Sequence, residues 1–149
     1  MANNAEHMSP EQEMQSLQSY LNEYSQQFEL LSQQMQMIET ARAESLASIE
    51  ALEALAAADG EVSTLLMLGG GVSVRATVTD TKNMLVGIGA GVTVEKSAGD
   101  AVAFLRDRLT EMDASGKRLS ERLGKLQSQI TVVQKRMQEI YASAQQQTR

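Results

Sequence analysis

Two long series of heptad-spaced apolar residues constrain this chain more than anything else in it. The first runs Met14, Leu17, Leu21, Tyr24, Phe28, Leu31, Met35, Ile38, then Ile49, Leu52 and Ala56, in alternating steps of three and four. Arg42 and Ser45 fall on the same rhythm and interrupt it. The second runs from Val102 through Leu105, Leu109, Met112, Leu119, Leu123, Leu126, Ile130, Val133, Met137 and Ile140 to Ala144, broken at Gly116. A seven-residue repeat held this long marks coiled-coil helices, not the surface helices of a globular domain. At 1.5 Å per residue, roughly 49 residues span about 73 Å, wider than a compact domain of 149 residues. Each helix is expected to project as an arm.

The ends of both helices carry start and stop signals. Ser9-Pro10-Glu11-Gln12 combines an N-cap serine, a proline at the first helical position and a glutamine placed for a capping box. Pro10 is the only proline, and the next stop is Asp59-Gly60, where glycine supplies a left-handed C′ residue. Ser97 reads as the second N-cap, with Asp100 three residues on. The chain is therefore one subunit, 1–149, in three segments: a first coiled-coil helix over 9–60, a strand-rich middle over 61–96 and a second helix over 97–145. The glutamine tail, Gln145-Gln146-Gln147, is expected to be loose.

Charge predicts how the helices pair. Met1–Glu61 holds 11 acidic residues and one basic residue, Arg42, a net −10; Ser97–Arg149 holds 6 acidic and 9 basic, a net +3. Complementary segments of matched length should lie side by side and antiparallel. One register faces Leu31 with Ile130, Ile38 with Leu123 and Ser45 with Gly116, placing both seam defects at one level. The register shifted by one heptad competes with it.

The middle alternates with period two. Leu65–Met67 and their neighbours form a short apolar strand, ended by Gly69-Gly70-Gly71. Val72, Val74, Ala76 and Val78 share one face of the next strand; Asp80–Asn83 turns the chain. Met84, Val86 and Ile88 form a third strand, Gly89-Ala90-Gly91 turns again, and Val92 and Val94 begin a fourth. This pattern predicts two successive β-hairpins, so the fold class is α+β: an antiparallel two-helix coiled coil with two central β-hairpins. Four short strands leave open edges and an apolar face, and the helix seams are already engaged with each other. Strands from other subunits are the expected cover, closing an intersubunit β-barrel. The contact residues are then Leu66, Leu68, Val72, Val74, Val78, Val86, Ile88, Val92 and Val94.

Several chemistries have no support. Gly87–Gly91 lacks the following helix that a dinucleotide loop requires, and no Walker-type phosphate loop occurs. His7 is the only histidine and there is no cysteine, so neither a metal site nor a catalytic residue is nominated, no cofactor is expected, and the chain does not read as an enzyme. An acidic chain without a basic cluster is a poor nucleic-acid ligand. No secretory leader or bilayer-length apolar run is visible, and a cysteine-free chain suits the cytoplasm. The methionines are mostly seam residues, yet Met8, Met14 and Met137 lie near the free helix ends, where adaptable side chains suit promiscuous apolar contacts.

Helix, two hairpins, helix, with heptads in both helices, resembles the α-class subunit of prefoldin. The specific residues are Leu68-Gly69-Gly70-Gly71-Val72, Asp80, the run Leu85–Gly91, and Val94-Glu95-Lys96 before Ala101. A β-class subunit has one hairpin; two point to α. The resemblance implies a hexamer of two α and four β-class subunits with a double β-barrel from which six arms hang. It implies an ATP-independent holdase, mostly archaeal in this simple form, that captures non-native polypeptides at the arm tips and passes them to a group II chaperonin. Mapped here, the tips are Met14, Leu17, Tyr20, Leu21, Tyr24, Met137, Ile140 and Tyr141. Tips that fray would expose their seam side chains, and several around one cavity would bind weakly and multivalently. A coiled-coil scaffold or spacer without client binding is the alternative.

Overall fold

The computed structural model describes residues 8–147. Its element order is α1 (Pro10–Ala57), β1 (Val62–Gly69), β2 (Val72–Val78), β3 (Asn83–Gly89), β4 (Val92–Ser97) and α2 (Ala98–Gln147). Contacts gather in two units: one is Glu39–Ala114, the other the chain on either side, up to Ile38 and from Ser115.

In the second of these, α1 and α2 lie antiparallel. Glu13 near the start of α1 meets Arg136 near the end of α2, and Ile38 meets Gly116. Leu31, Leu126, Ile130 and Val133 are its buried seam. The capping box forms at the entry to α1: the Gln12 amide donates to Ser9 Oγ (3.2 Å) and the Ser9 amide to Gln12 Oε1 (3.1 Å). Two otherwise unpaired donors are thereby satisfied. The glutamine tail differs from expectation, because α2 stays helical through Gln147; glutamine is a good helix former.

The expected layer of Ser45 with Gly116, and the pairings of Leu31 with Ile130 and Ile38 with Leu123, are not formed. A Cβ on Gly116 would instead lie 3.9 Å from both Met35 and Ile38, the competing alignment one heptad away. Polar groups explain the choice. In the Glu39–Ala114 unit, Arg42 on the seam pairs with Asp113 at 2.7 Å, and Glu53 with Arg106 at 2.7 Å. Ser45 is buried but donates to the Ala41 carbonyl of its own helix (2.9 Å). It therefore needs no gap opposite.

The two hairpins are built alike. Strands β1 and β2 pair antiparallel from Val62↔Val78 to Gly69↔Val72, and β3 and β4 from Asn83↔Ser97 to Gly89↔Val92. Each register shifts by one residue before the turn, so Leu68 and Ile88 are bulged, which sharpens the local twist. The two-residue turns have positive φ at both positions: Gly70 (59°) and Gly71 (79°), then Ala90 (49°) and Gly91 (74°). These match the mirror-image turns that fit twisted strands. The hairpins form two separate two-stranded sheets, so every strand keeps an open edge.

Between the hairpins, Asp80 accepts from the amides of Lys82 and Asn83 (both 3.0 Å). Lys82 then ties three elements together. Its Nζ donates to the Ala56 carbonyl (2.7 Å) at the end of α1, and its carbonyl accepts from the Ala98 amide (2.9 Å) at the start of α2. A cation on the last carbonyls of a helix also suits the helix dipole. Ser97 Oγ caps α2 by accepting from the Asp100 amide (3.1 Å).

Two glycine–alanine exchanges, made in opposite directions, should both stabilise the chain. Gly116 is helical with no atom close enough to resist a methyl, so Gly116→Ala should add about 1 kcal/mol. Ala90 holds a left-handed conformation that costs a side-chain residue about 1–2 kcal/mol, so Ala90→Gly should also stabilise. Both variants should raise the midpoint of chemical denaturation followed by circular dichroism.

Candidate functional site

The hub candidates lie within Glu39–Ala114 and are displayed, not enclosed. Leu66, Leu68, Val72, Val74, Ile88 and Val92 are exposed, while Val78, Val86 and Val94 are half-buried. The opposite face of the strands is also apolar: Leu65 is exposed, and Met67 and Leu85 are each 78% exposed. The sequence-based contact set leaves these three residues out, because it takes one apolar face per strand. Their signal was the unbroken run Leu65–Leu68, which period-two logic cannot place on one side.

The second hairpin and the helices face a common cleft. Met84 and Val86 share a cleft of about 440 Å³ with Leu52 and Leu55 of α1 and Phe104 and Leu105 of α2. Phe104 is itself flanked by cations, with Lys96 Nζ 5.9 Å and the Arg108 guanidinium carbon 5.8 Å from its ring centroid, both within cation–π range. Apolar helix surface beside the seam therefore borders the second hairpin across this cleft. Strand β1 has exposed side chains along nearly all its length.

The tip candidates lie in the other unit, at the end where α1 starts and α2 stops. Met14, Leu17, Leu21, Tyr24, Met137 and Ile140 are half-buried on the seam. Tyr20 and Tyr141 are exposed, and Tyr20 stacks on Tyr24 with ring centroids 6.3 Å apart. Ile140 also lines an open recess of about 540 Å³ with Ser9, Pro10, Glu13 and Arg136. Further apolar surface off the seam was missed: Leu30, Met37 and Val132 are exposed as well, at 56%, 65% and 68%. His7 lies outside the described residues. Among those described, no cluster of acidic or histidine side chains could hold a metal ion, and no helix is long and apolar enough to cross a membrane.

Electrostatics closes the tip. Arg136 donates from Nε to Glu13 Oε1 (2.7 Å) and from Nη2 to Oε2 (3.1 Å), the paired geometry that suits guanidinium and carboxylate. Glu139 lies 3.4 Å from the same guanidinium. The hydrogen bond from Arg136 holds the Glu13 carboxyl below its ordinary value of 4.5; its charge adds to the effect, and partial desolvation opposes it.

A family model described as Prefoldin subunit matches residues 24–143. Prefoldin subunit alpha of Methanocorpusculum labreanum is 64% identical over 145 residues, covering 97% of this chain and 99% of that protein. Prefoldin subunit alpha of Methanoregula boonei is 47% identical, covering 89% and 86%. In fold, the chain is similar to a filamentous PFD from Methanocaldococcus jannaschii, with a TM-score of 0.66, 17% identity, and coverage of 78% of this chain and 96% of that one. The chain belongs to the prefoldin family of chaperones, as an archaeal-type α-class subunit.

The Glu13–Arg136 pair predicts an acid-sensitive tip. A carboxyl with a depressed folded-state pKa stabilises fully above its unfolded value and loses that contribution as pH falls through the folded value. Amide protection factors near Met14 and Met137 should drop below about pH 4.5 while those near Leu31 and Leu126 hold. Glu13→Gln should show the reduced tip protection already at pH 7, measured by hydrogen exchange with mass spectrometry.

Proposed function

We propose that the chain is one subunit of an ATP-independent holdase: it assembles through its hairpins and binds non-native polypeptides with its helix ends. The observation that carries the assembly half is the pair of two-stranded sheets with open edges and exposed apolar residues on both faces of β1. Unpaired edges beside exposed Leu, Met and Val side chains are stable only when another chain pairs and covers them. Edge-to-edge closure with β-class subunits removes the edges, giving a hexamer of two α and four β chains around a double barrel. The corresponding contacts are Leu66, Leu68, Val72, Val74, Val78, Val86, Ile88, Val92 and Val94, with Leu65, Met67 and Leu85 on the other face.

Client capture falls to Met14, Leu17, Tyr20, Leu21, Tyr24, Met137, Ile140 and Tyr141. Tyr20 and Tyr141 meet the client first, and local opening of the last turns adds the half-buried seam residues. Several weak tips acting together bind without sequence specificity and without nucleotide. The captured chain passes to a group II chaperonin in the cytoplasm.

Native mass measurement of the chain mixed with a β-class partner should give the hexamer, and Met67→Lys with Leu85→Lys should shift the mass toward smaller species. Removing both tips, before Tyr24 and after Val133, should leave the hexameric mass unchanged and abolish suppression of aggregation of an unfolded test protein. A truncated hexamer that still protects fully would assign the chain to a scaffold role instead.

A further inference from the structure

Glu13 and Arg136 meet across the seam, so both stand on the same side of the helix pair. Heptad counting extends that side along each helix. On α1 it runs through Tyr20, Gln27 and Gln34, with Leu30 and Met37 three residues beyond the glutamines in the adjoining column. On α2 it runs through Gln129, Arg122 and Ser115, with Val132, Lys125 and Arg118 likewise adjoining. Counting from the Gly116–Ile38 contact, Leu30 and Met37 come level with Lys125 and Arg118. One side of this unit therefore carries exposed apolar residues on α1, interrupted by Glu23, whose carboxylate accepts from Gln27 Nε2 (3.1 Å), and an exposed cationic row on α2.

The two rows have different internal satisfaction. Arg136 is held by Glu13 and Glu139, and Arg118 donates to Ser115 Oγ (3.0 Å), a neutral partner. Arg122 and Lys125 form no ion pair among the described residues. Tyr20, Leu30 and Met37 are 50–65% exposed although each is next to, not on, the seam. An apolar row beside uncompensated positive charge is complementary to a ligand that brings apolar groups and carboxylates together.

We propose that this side is a docking surface for extended, acidic–apolar segments of non-native polypeptide. It rests on the client-binding reading above and deepens it by naming a client class. An extended segment directs successive side chains to opposite sides. Alternating apolar and acidic residues thus reach Tyr20, Leu30 and Met37 with one set and Arg118, Arg122 and Lys125 with the other. Lysine and arginine stems add apolar area beneath their charged heads. The surface extends client contact from the tip along the helix pair and gives an otherwise tolerant site a preference in charge.

The test uses the full chain assembled with its β-class partner and two fluorescent peptides with identical apolar residues, alternating with Glu in one and Lys in the other. The Glu peptide should bind roughly fivefold more tightly at low salt, the effect of about two exposed ion pairs, and the difference should shrink at high salt. Arg122→Glu with Lys125→Glu should reverse the preference; Arg122→Gln with Lys125→Gln should only abolish it, a control that carries no introduced charge. Leu30→Ser with Met37→Ser should weaken both peptides. Equal affinity for the two peptides, or a preference that survives charge reversal, overturns the proposal. Intact aggregation suppression in that case leaves the general client reading standing; failure of every peptide and of aggregation suppression removes both. Crosslinks between copies through Leu30 and Arg122, with no peptide bound, would assign the surface to a second copy and also overturn the proposal.

Discussion

The seam between α1 and α2 is the constraint from which the other features follow. Each helix commits one heptad stripe to the other, with Leu31, Leu126, Ile130 and Val133 buried in one unit and Ile49 in the other. Little apolar helix surface is left for the hairpins. What remains, at Leu52, Leu55 and Leu105, shares an open cleft with Met84 and Val86 of the second hairpin, and the first hairpin keeps its leucines in the open. A chain that uses its helices this way cannot cover its own sheets, and burial then becomes a matter between chains.

Charge acts on this seam as a selector of alignment. Hydrophobic residues repeat every heptad, so apolar packing alone is nearly degenerate between registers one heptad apart. Arg42 with Asp113, Glu53 with Arg106, and Glu13 with Arg136 break the degeneracy. All three pairs are solvent-exposed to a substantial degree, so each contributes little to stability; their weight lies in specificity, as with charged positions flanking other coiled coils. The acidic character of α1 and basic character of α2 have the same origin. Once the cross-seam pairs are made, Arg122 and Lys125 are left over as surface charge.

Much of the fold was legible because it rests on local rules. Ser9 and Gln12, Ser97 and Asp100, the heptads and the glycine-marked turns each declare their structure within a few residues. The candidate hub residues were legible on one face only. Period-two reasoning assigns Leu66 and Leu68 to a buried face and leaves Leu65 and Met67 unexplained, whereas the hairpin displays both sets. At the tips, sequence reasoning selected seam positions together with Tyr20 and Tyr141, yet the exposed residues Leu30, Met37 and Val132 also stand beside the seam. A heptad search passes over them by construction, since it counts only the positions that repeat.

The sequence by itself determined the two helices, the two hairpins, the turn positions and the antiparallel pairing, because capping, period and charge asymmetry act over short range or sum over whole segments. Only the tertiary structure decided the register, the cleft between β3–β4 and the helices, and the role of Lys82 as a tie between α1, the inter-hairpin turn and α2. Those outcomes depend on which of several equally spaced partners meets which. Gly116 faces Ile38, and not Ser45, in the register where Arg42 reaches Asp113. That choice is made by particular atoms across the seam, and spacing along one chain does not contain it.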